Sequence, residues 1–116
     1  MIEVECWREL HTVIGQLALR ESMLVDELRR SALDYGQARG RWKLADAESR
    51  NEIDRTRTFA HDRFIDVCNA LSRVCAHAGL PQEWRRVWGD ARTGEARKRI
   101  GDFACFIAYR LMLEAR

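Results

Sequence analysis

Few side chains in this chain have both the type and the spacing for chemistry. His11, the adjacent pair His61-Asp62, and Asp102 follow one another as imidazoles and carboxylates that could share a metal ion and activate water. Asp62 and Asp66 stand one helical turn apart, a spacing at which two carboxylates can hold a cation or divide acid and base roles. Arg63 and Arg73 can neutralise the surface around them, and a solvated charged face is the plainer reading of that pair. Cys6, Cys68, Cys75 and Cys105 form no CxxC pair. Cys68 and Cys75 share one helix face but lie about 10 Å apart along the axis, too far to ligate one zinc ion. Ser22, Ser31, Ser49 and Ser72 have no base at a recognisable spacing, and no glycine-rich phosphate loop occurs.

The series His11, His61-Asp62, Asp102 resembles that of the HD-type metal phosphohydrolases, which are also all-helical. The resemblance implies a metal-assisted hydrolase using His61 and Asp62. Only Ala60 and Arg63 flank the pair, and such folds use more helices than 116 residues supply. The residues themselves place His61 and Asp62 on a solvated shoulder beside Ala60 and Phe64. No catalytic residue, cofactor or metal is assigned.

A binding surface is better supported. Trp84, Arg85, Arg86 and Trp88, with Arg92, Arg97, Lys98 and Arg99 following, combine the residue types that dominate interaction hot spots and can stack on bases. A second basic set is Arg29, Arg30, Arg39, Arg41 and Lys43. The competing structural reading has Trp84 and Trp88, one turn apart, capping the open end of a helical core while the arginines face water.

The elements that must position these residues follow from periodicity. Trp7, Leu10, Ile14, Leu17, Leu24 and Leu28 keep one heptad frame, and Ile53, Ala60, Phe64, Val67, Leu71, Val74 and Ala78 keep another. The first predicts a helix over Glu3–Asp34, stopped at Tyr35-Gly36 with a turn over Gly36–Gly40. The second predicts a helix over Arg41–His77, with a polar stretch and a candidate break near Asn51. Gly79-Leu80-Pro81 then starts a short helix that ends at Gly89. Thr93 caps a last helix presenting Ala96, Ile100, Phe103, Ile107 and Leu111 on one face.

The expected fold is all-α, one domain over residues 1–116. It is a long antiparallel hairpin closed by a third long helix plus one short helix, a three- or four-helix bundle. A turn near residue 38 sets Leu24 near Ile53, Leu17 near Ala60 and Leu10 near Val67, and leaves Asp26 to Asp54 as a projecting arm. Gly15 and Gly101, inside helices, mark close helix approaches. Sustained heptads also make a homodimer an expectation.

Composition bounds the function further. The chain is 47% hydrophobic and 33% charged, the profile of a folded soluble helical domain. Residues 1–28 carry six acids against Arg8 and Arg20, and residues 85–99 carry six cations against Asp90 and Glu95, so the molecule should have an acidic and a basic region. Glu3, Glu5 and Glu9 could mimic a nucleic acid, although complementing the helix dipole explains them as well. A net charge of +2 is modest for direct nucleic-acid binding, and the last helix is too apolar to read base edges. Met1-Ile2-Glu3 opens no secretory signal, and Phe103–Leu113 is too short for a membrane span. The cysteines read as buried thiols in a reducing cytoplasm, with a Cys6–Cys105 disulfide as the alternative. Arginines outnumber Lys43 and Lys98 by 18 to two, a bias that a GC-rich bacterium or its phage would give.

In length, expected solubility and lack of a catalytic motif the chain resembles, as a class, the small phage-encoded proteins that block host machines, the anti-CRISPR proteins among them. The resemblance implies a non-enzymatic inhibitor acting on a protein or ribonucleoprotein complex in a bacterial cell. A nucleic-acid-binding regulator is the alternative.

Overall fold

The computed structural model describes residues 2–88 and 94–114, all helix and short connections, in keeping with an all-α bundle. Helix α1 spans Ile2–Leu17, α2 Ser22–Leu44, α3 Ala47–Ala78 and α4 Gly94–Glu114, with a 3₁₀ helix over Glu83–Trp88. Thr93 and Gly89, expected as cap and stop, lie outside the described residues.

The first heptad run belongs to two helices, not one. The chain turns over residues 18–21, where Leu19 is 96% exposed and Glu21 precedes α2 without a side-chain cap. Leu17 and Leu28 remain buried on either side, so the apolar phase survives the bend. That is why periodicity alone reads straight through it.

Gly36 and Gly40 do not end the second segment. A Cβ added at Gly36 would stand 3.6 Å from Cys105 Sγ and 3.8 Å from its Cα, ordinary contact distances, so α2 packs on α4 here inside a continuous helix. The turn falls later, at Ala45-Asp46, where the Asp46 carboxylate accepts the Ser49 N–H at 2.8 Å and caps α3. From the other side, Arg50 donates to the carbonyls of Trp42 (3.1 Å) and Lys43 (3.4 Å) at the end of α2.

Moving the turn changes the pairing. Tyr35 meets His61 and Phe64 at ring separations of 5.4 and 6.2 Å, and Asp34 pairs with Arg63 at 3.2 Å. These replace the expected pairings, which set Leu17 near Ala60 and Leu10 near Val67. Helix α3 runs unbroken through Asn51; its 32 residues span roughly 48 Å, matching the 46 Å long axis of the molecule. Gly79, at φ 70°, ends it in the left-handed conformation, while the Leu80 N–H bonds back to Cys75 O at 2.8 Å.

Helix α4 closes the bundle against α2, burying Ile100, Phe103, Ala104 and Ile107. Helix α1 packs mainly on the 3₁₀ helix, and Trp7 sets its edge to Phe106 of α4 at 6.3 Å. Because α4 covers the middle of α2, the projecting arm is shorter than expected. No residue from 39 to 59 is buried, whereas 26 to 38 contribute Leu28, Ala32, Tyr35 and Ala38 to the core. Ile53 is only half-buried and Ala78 is exposed. All four cysteines are free thiols; Cys6, Cys68 and Cys75 are buried, and Cys105 is half-buried.

Gly15 marks no close approach. It is exposed, and a Cβ there would meet no atom within 4 Å. Gly15→Ala should therefore stabilise the fold by up to about 1 kcal/mol, which raises the melting temperature by roughly 4–8 °C for a domain of this size. Thermal unfolding followed by helical circular dichroism checks this; a lower melting temperature would mean that α1 needs a glycine there.

Candidate functional site

At the start of the Trp84–Arg99 strip, Trp84 and Arg85 belong to the scaffold. Trp84 is 0% exposed, and its indole N–H is directed at the Cys75 thiol of α3. Arg85 donates to Asn69 Oδ1 at 2.7 Å and to Ser72 Oγ at 3.1 Å, and Ser72 itself donates to Gln82 Oε1, so this arginine docks the 3₁₀ helix onto α3. Arg86 is exposed but pairs with Glu5 of α1 at 2.7 Å. One residue of the acidic block and one of the basic block thus meet at this contact. The side chains of Trp88, Arg92 and Arg97 lie outside the described residues. Lys98 and Arg99 are exposed.

The second basic set divides too. Arg29 is exposed and 3.5 Å from Asp26, while Arg30 and Arg41 are exposed. Arg39 and Lys43 turn toward a cavity of about 350 Å³, and there they meet Lys98 of the first set. Three helices build it. Helix α2 supplies Tyr35, Arg39, Trp42 and Lys43, whose spacing places them on one face. Helix α3 supplies Arg57, Thr58, His61 and Asp62, also one face. Lys98 comes from the first turns of α4.

The arginines at the cavity are compensated. The Arg39 side chain is 12% exposed and donates to Asp102 Oδ1 at 2.6 Å, with the Cys105 thiol 4.0 Å away. Burial works against its charge, but the bond to Asp102 and that group's negative charge, with help from Cys105, hold the guanidinium above its ordinary pKa. Gly101 makes this reach possible, since a Cβ there would fall 2.7 Å from Arg39 Nε and 2.8 Å from Cζ. The close approach expected at Gly101 is therefore to a side chain.

Arg57 donates to Asp54 through Nε at 3.1 Å and lies 4.2 Å from the Trp42 ring centroid; Arg50 lies 4.5 Å from the same centroid. Two guanidiniums thus pack on the indole, which lines the cavity. Burial raises the pKa of Tyr35, although the positive charges of Arg39 and Arg57 oppose that rise. His61 Nδ1 is 3.1 Å from Asp62 Oδ1, and its buried Nε2 has no hydrogen-bond partner among the described residues. The ammonium groups of Lys43 and Lys98 have no ion pair or hydrogen bond among the described residues.

The His and Asp series does not gather into a metal centre. His61 and Asp62 line the cavity and Asp102 reaches its edge through Arg39. His11 stacks on Trp7 at 5.3 Å and sits 2.9 Å from a Glu114 carboxylate oxygen. Among the described residues no three His, Cys, Asp or Glu side chains come close enough to hold a metal ion. No described helix is long and apolar enough to cross a membrane.

Sequence reasoning missed Tyr35, Trp42, Arg57 and Thr58. The usable signal was Trp42 and Arg57 on opposite sides of an Asp46 cap, which becomes visible only once the turn is placed there. Comparison of the chain with protein-family models, with curated proteins and with solved structures gives no significant match.

Proposed function

We propose that the chain is a non-enzymatic interaction module that presents its cationic cavity face to an acidic surface of a protein or ribonucleoprotein complex. One observation supports this above the others. The chain has only two lysines, separated by 55 positions, and both stand at this one cavity with exposed side chains. A lysine ammonium is a compact, mobile charge suited to capturing an oxyanion from outside, whereas the neighbouring arginines are tied to Asp54 and Asp102. Exposed Arg41 extends the same charge along α2.

In this reading the contact surface lies on α2, α3 and α4, not on Trp84. A small phage-encoded inhibitor, anti-CRISPR-like, is the version in which the partner is a host ribonucleoprotein and the chain acts in a bacterial cytoplasm, where free thiols stay reduced.

The test is capture from a GC-rich bacterial lysate, with and without nuclease, by the wild type and by Lys43→Glu/Lys98→Glu. The wild type should retain a stoichiometric partner that the double variant loses at unchanged helicity and melting temperature. Equal retention by the variant would remove this face from the interaction.

A further inference from the structure

The homodimer suggested by sustained heptads has no free heptad seam to use, because Leu10, Leu17, Phe64 and Leu71 are taken up by the core of a single chain. Apolar surface is left over elsewhere. Among the described residues the three most exposed large apolar side chains are Leu19 at 96%, Leu44 at 90% and Met23 at 78%, and two of the three stand together where α1 bends into α2. Turn chemistry does not account for Leu19, since turns favour glycine, proline, asparagine, aspartate and serine. At the same bend, Leu17, Arg20 and Glu21 join Val74, His77 and Ala78 from the end of α3 to line an open groove of about 400 Å³. Part of its lining is apolar, with Leu17 buried and Val74 partly buried against the core.

We infer that this bend and groove form the contact between two copies of the chain, related by a two-fold axis. Leu19 of each copy enters the groove of the other and meets Leu17, Val74 and Ala78, with Met23 beside it. Arg20 of each copy pairs with Glu21 of the other.

A two-fold contact uses one patch twice, so that patch must complement itself. This one does so in shape and in charge. It carries a projecting apolar side chain and an apolar-lined groove side by side, and it carries one cation next to one anion. Neither Arg20 nor Glu21 has an ion pair among the described residues, so both are available to a second copy. Their charges cancel, which gives a strongly acidic or basic partner no advantage over that copy. The core is closed within one chain, with Leu17, Val25 and Leu28 buried around the bend, so the dimer forms reversibly from folded monomers. The groove shares no residue with the cationic cavity, and this inference stands apart from the function proposed for that face.

Sedimentation equilibrium of the intact protein between roughly 1 µM and 1 mM tests it. The wild type should pass from monomer to dimer within that range. Leu19→Asp should weaken the dimer by about tenfold or more, with the helicity and melting temperature of dilute monomer unchanged, because the side chain it replaces is exposed. Arg20→Glu and Glu21→Arg should each weaken it by about tenfold or more by setting like charges opposite one another. Glu21 caps no backbone N–H through its side chain, so its replacement removes no helix cap. Mixing these two single variants restores both cross-pairs, and the mixture should associate as tightly as the wild type. That rescue is specific to a contact between copies.

A wild type that stays monomeric throughout the range would overturn the inference and assign the bend to a different partner. A dimer that Leu19→Asp leaves intact would place the contact elsewhere on the molecule and overturn it as well. Failure of the two charge variants to associate when mixed would remove the Arg20–Glu21 pairing and with it the two-fold arrangement.

Discussion

Trp84→Ala should destabilise the protein by about 3–5 kcal/mol, the range for removing a fully buried large aromatic from a packed core. Among the described residues Trp84 is the largest fully buried side chain, at 0% exposure, and its indole N–H faces the Cys75 thiol. It is the anchor through which the 3₁₀ helix joins α1 and α4 into one core. Little else among the described residues could compensate, because that connector is only six residues long and is otherwise held by Val87, Arg85, the Glu5–Arg86 pair and the Cys6 thiol on the Glu83 carbonyl. Since small domains hold only about 5–15 kcal/mol in total, the variant should be partly unfolded or nearly so. Urea unfolding checks it: the midpoint should fall sharply with little change in slope. Any loss of partner binding in this variant would then report a lost fold, not a lost contact. Exposed Arg86→Ala is the control, and its melting temperature should stay close to that of the wild type. A midpoint shift in Trp84→Ala no larger than in Arg86→Ala would mean that the tryptophan is not a core anchor.

How far the sequence disclosed this arrangement can be traced residue by residue. Heptad positions identified buried side chains well, because burial depends on local period: Trp7, Leu10, Ile14, Leu17, Phe64, Val67 and Leu71 all lie inside. The bend at 18–21 was invisible because Leu17 and Leu28 keep phase across it. The turn was misplaced because glycine weakens a helix without always ending one. Gly36 lies within α2 against Cys105 of α4 at ordinary contact distance, a tertiary setting that no local pattern carries. The true turn was signalled only by Asp46 and its bond to Ser49, a weaker mark than a pair of glycines.

That one displacement explains most of what was illegible at the site. With a turn near residue 38, Trp42 begins a helix and Arg57 lies far along it. With the turn at 45–46, Trp42 ends α2 and faces Arg50 and Arg57 across the corner. Both basic sets were visible as charge, but their meeting at Lys43 and Lys98 depends on α4 lying against α2, which is a matter of tertiary packing. Trp84 shows the converse. Its flanking arginines make it look like a hot spot, yet one of them docks the segment to α3 and the other closes an ion pair with α1.

Alkali should unfold this protein through its buried thiols. Complete burial pushes the Cys68 thiol up to about 12 from an ordinary 9.0, and nearby Arg85 only partly opposes the rise. In the unfolded chain the same thiol ionises near its ordinary value. Between these limits the unfolded state releases a proton that the folded state retains, so stability falls as pH rises and is unaffected below about pH 9. The slope is about 1.4 kcal/mol per pH unit, or about 3 kcal/mol by pH 11, from this one group. Burial also raises Cys6, Cys75 and Tyr35, and each adds loss of the same sign. Urea midpoints measured at about pH 8 and about pH 11 should therefore fall steeply in the wild type. Cys68→Ala should start lower, because it leaves a small void in the core, but decline less steeply, so that the two curves converge at high pH. Parallel curves would assign the alkaline loss to the other groups and show that the Cys68 proton is not what the fold retains.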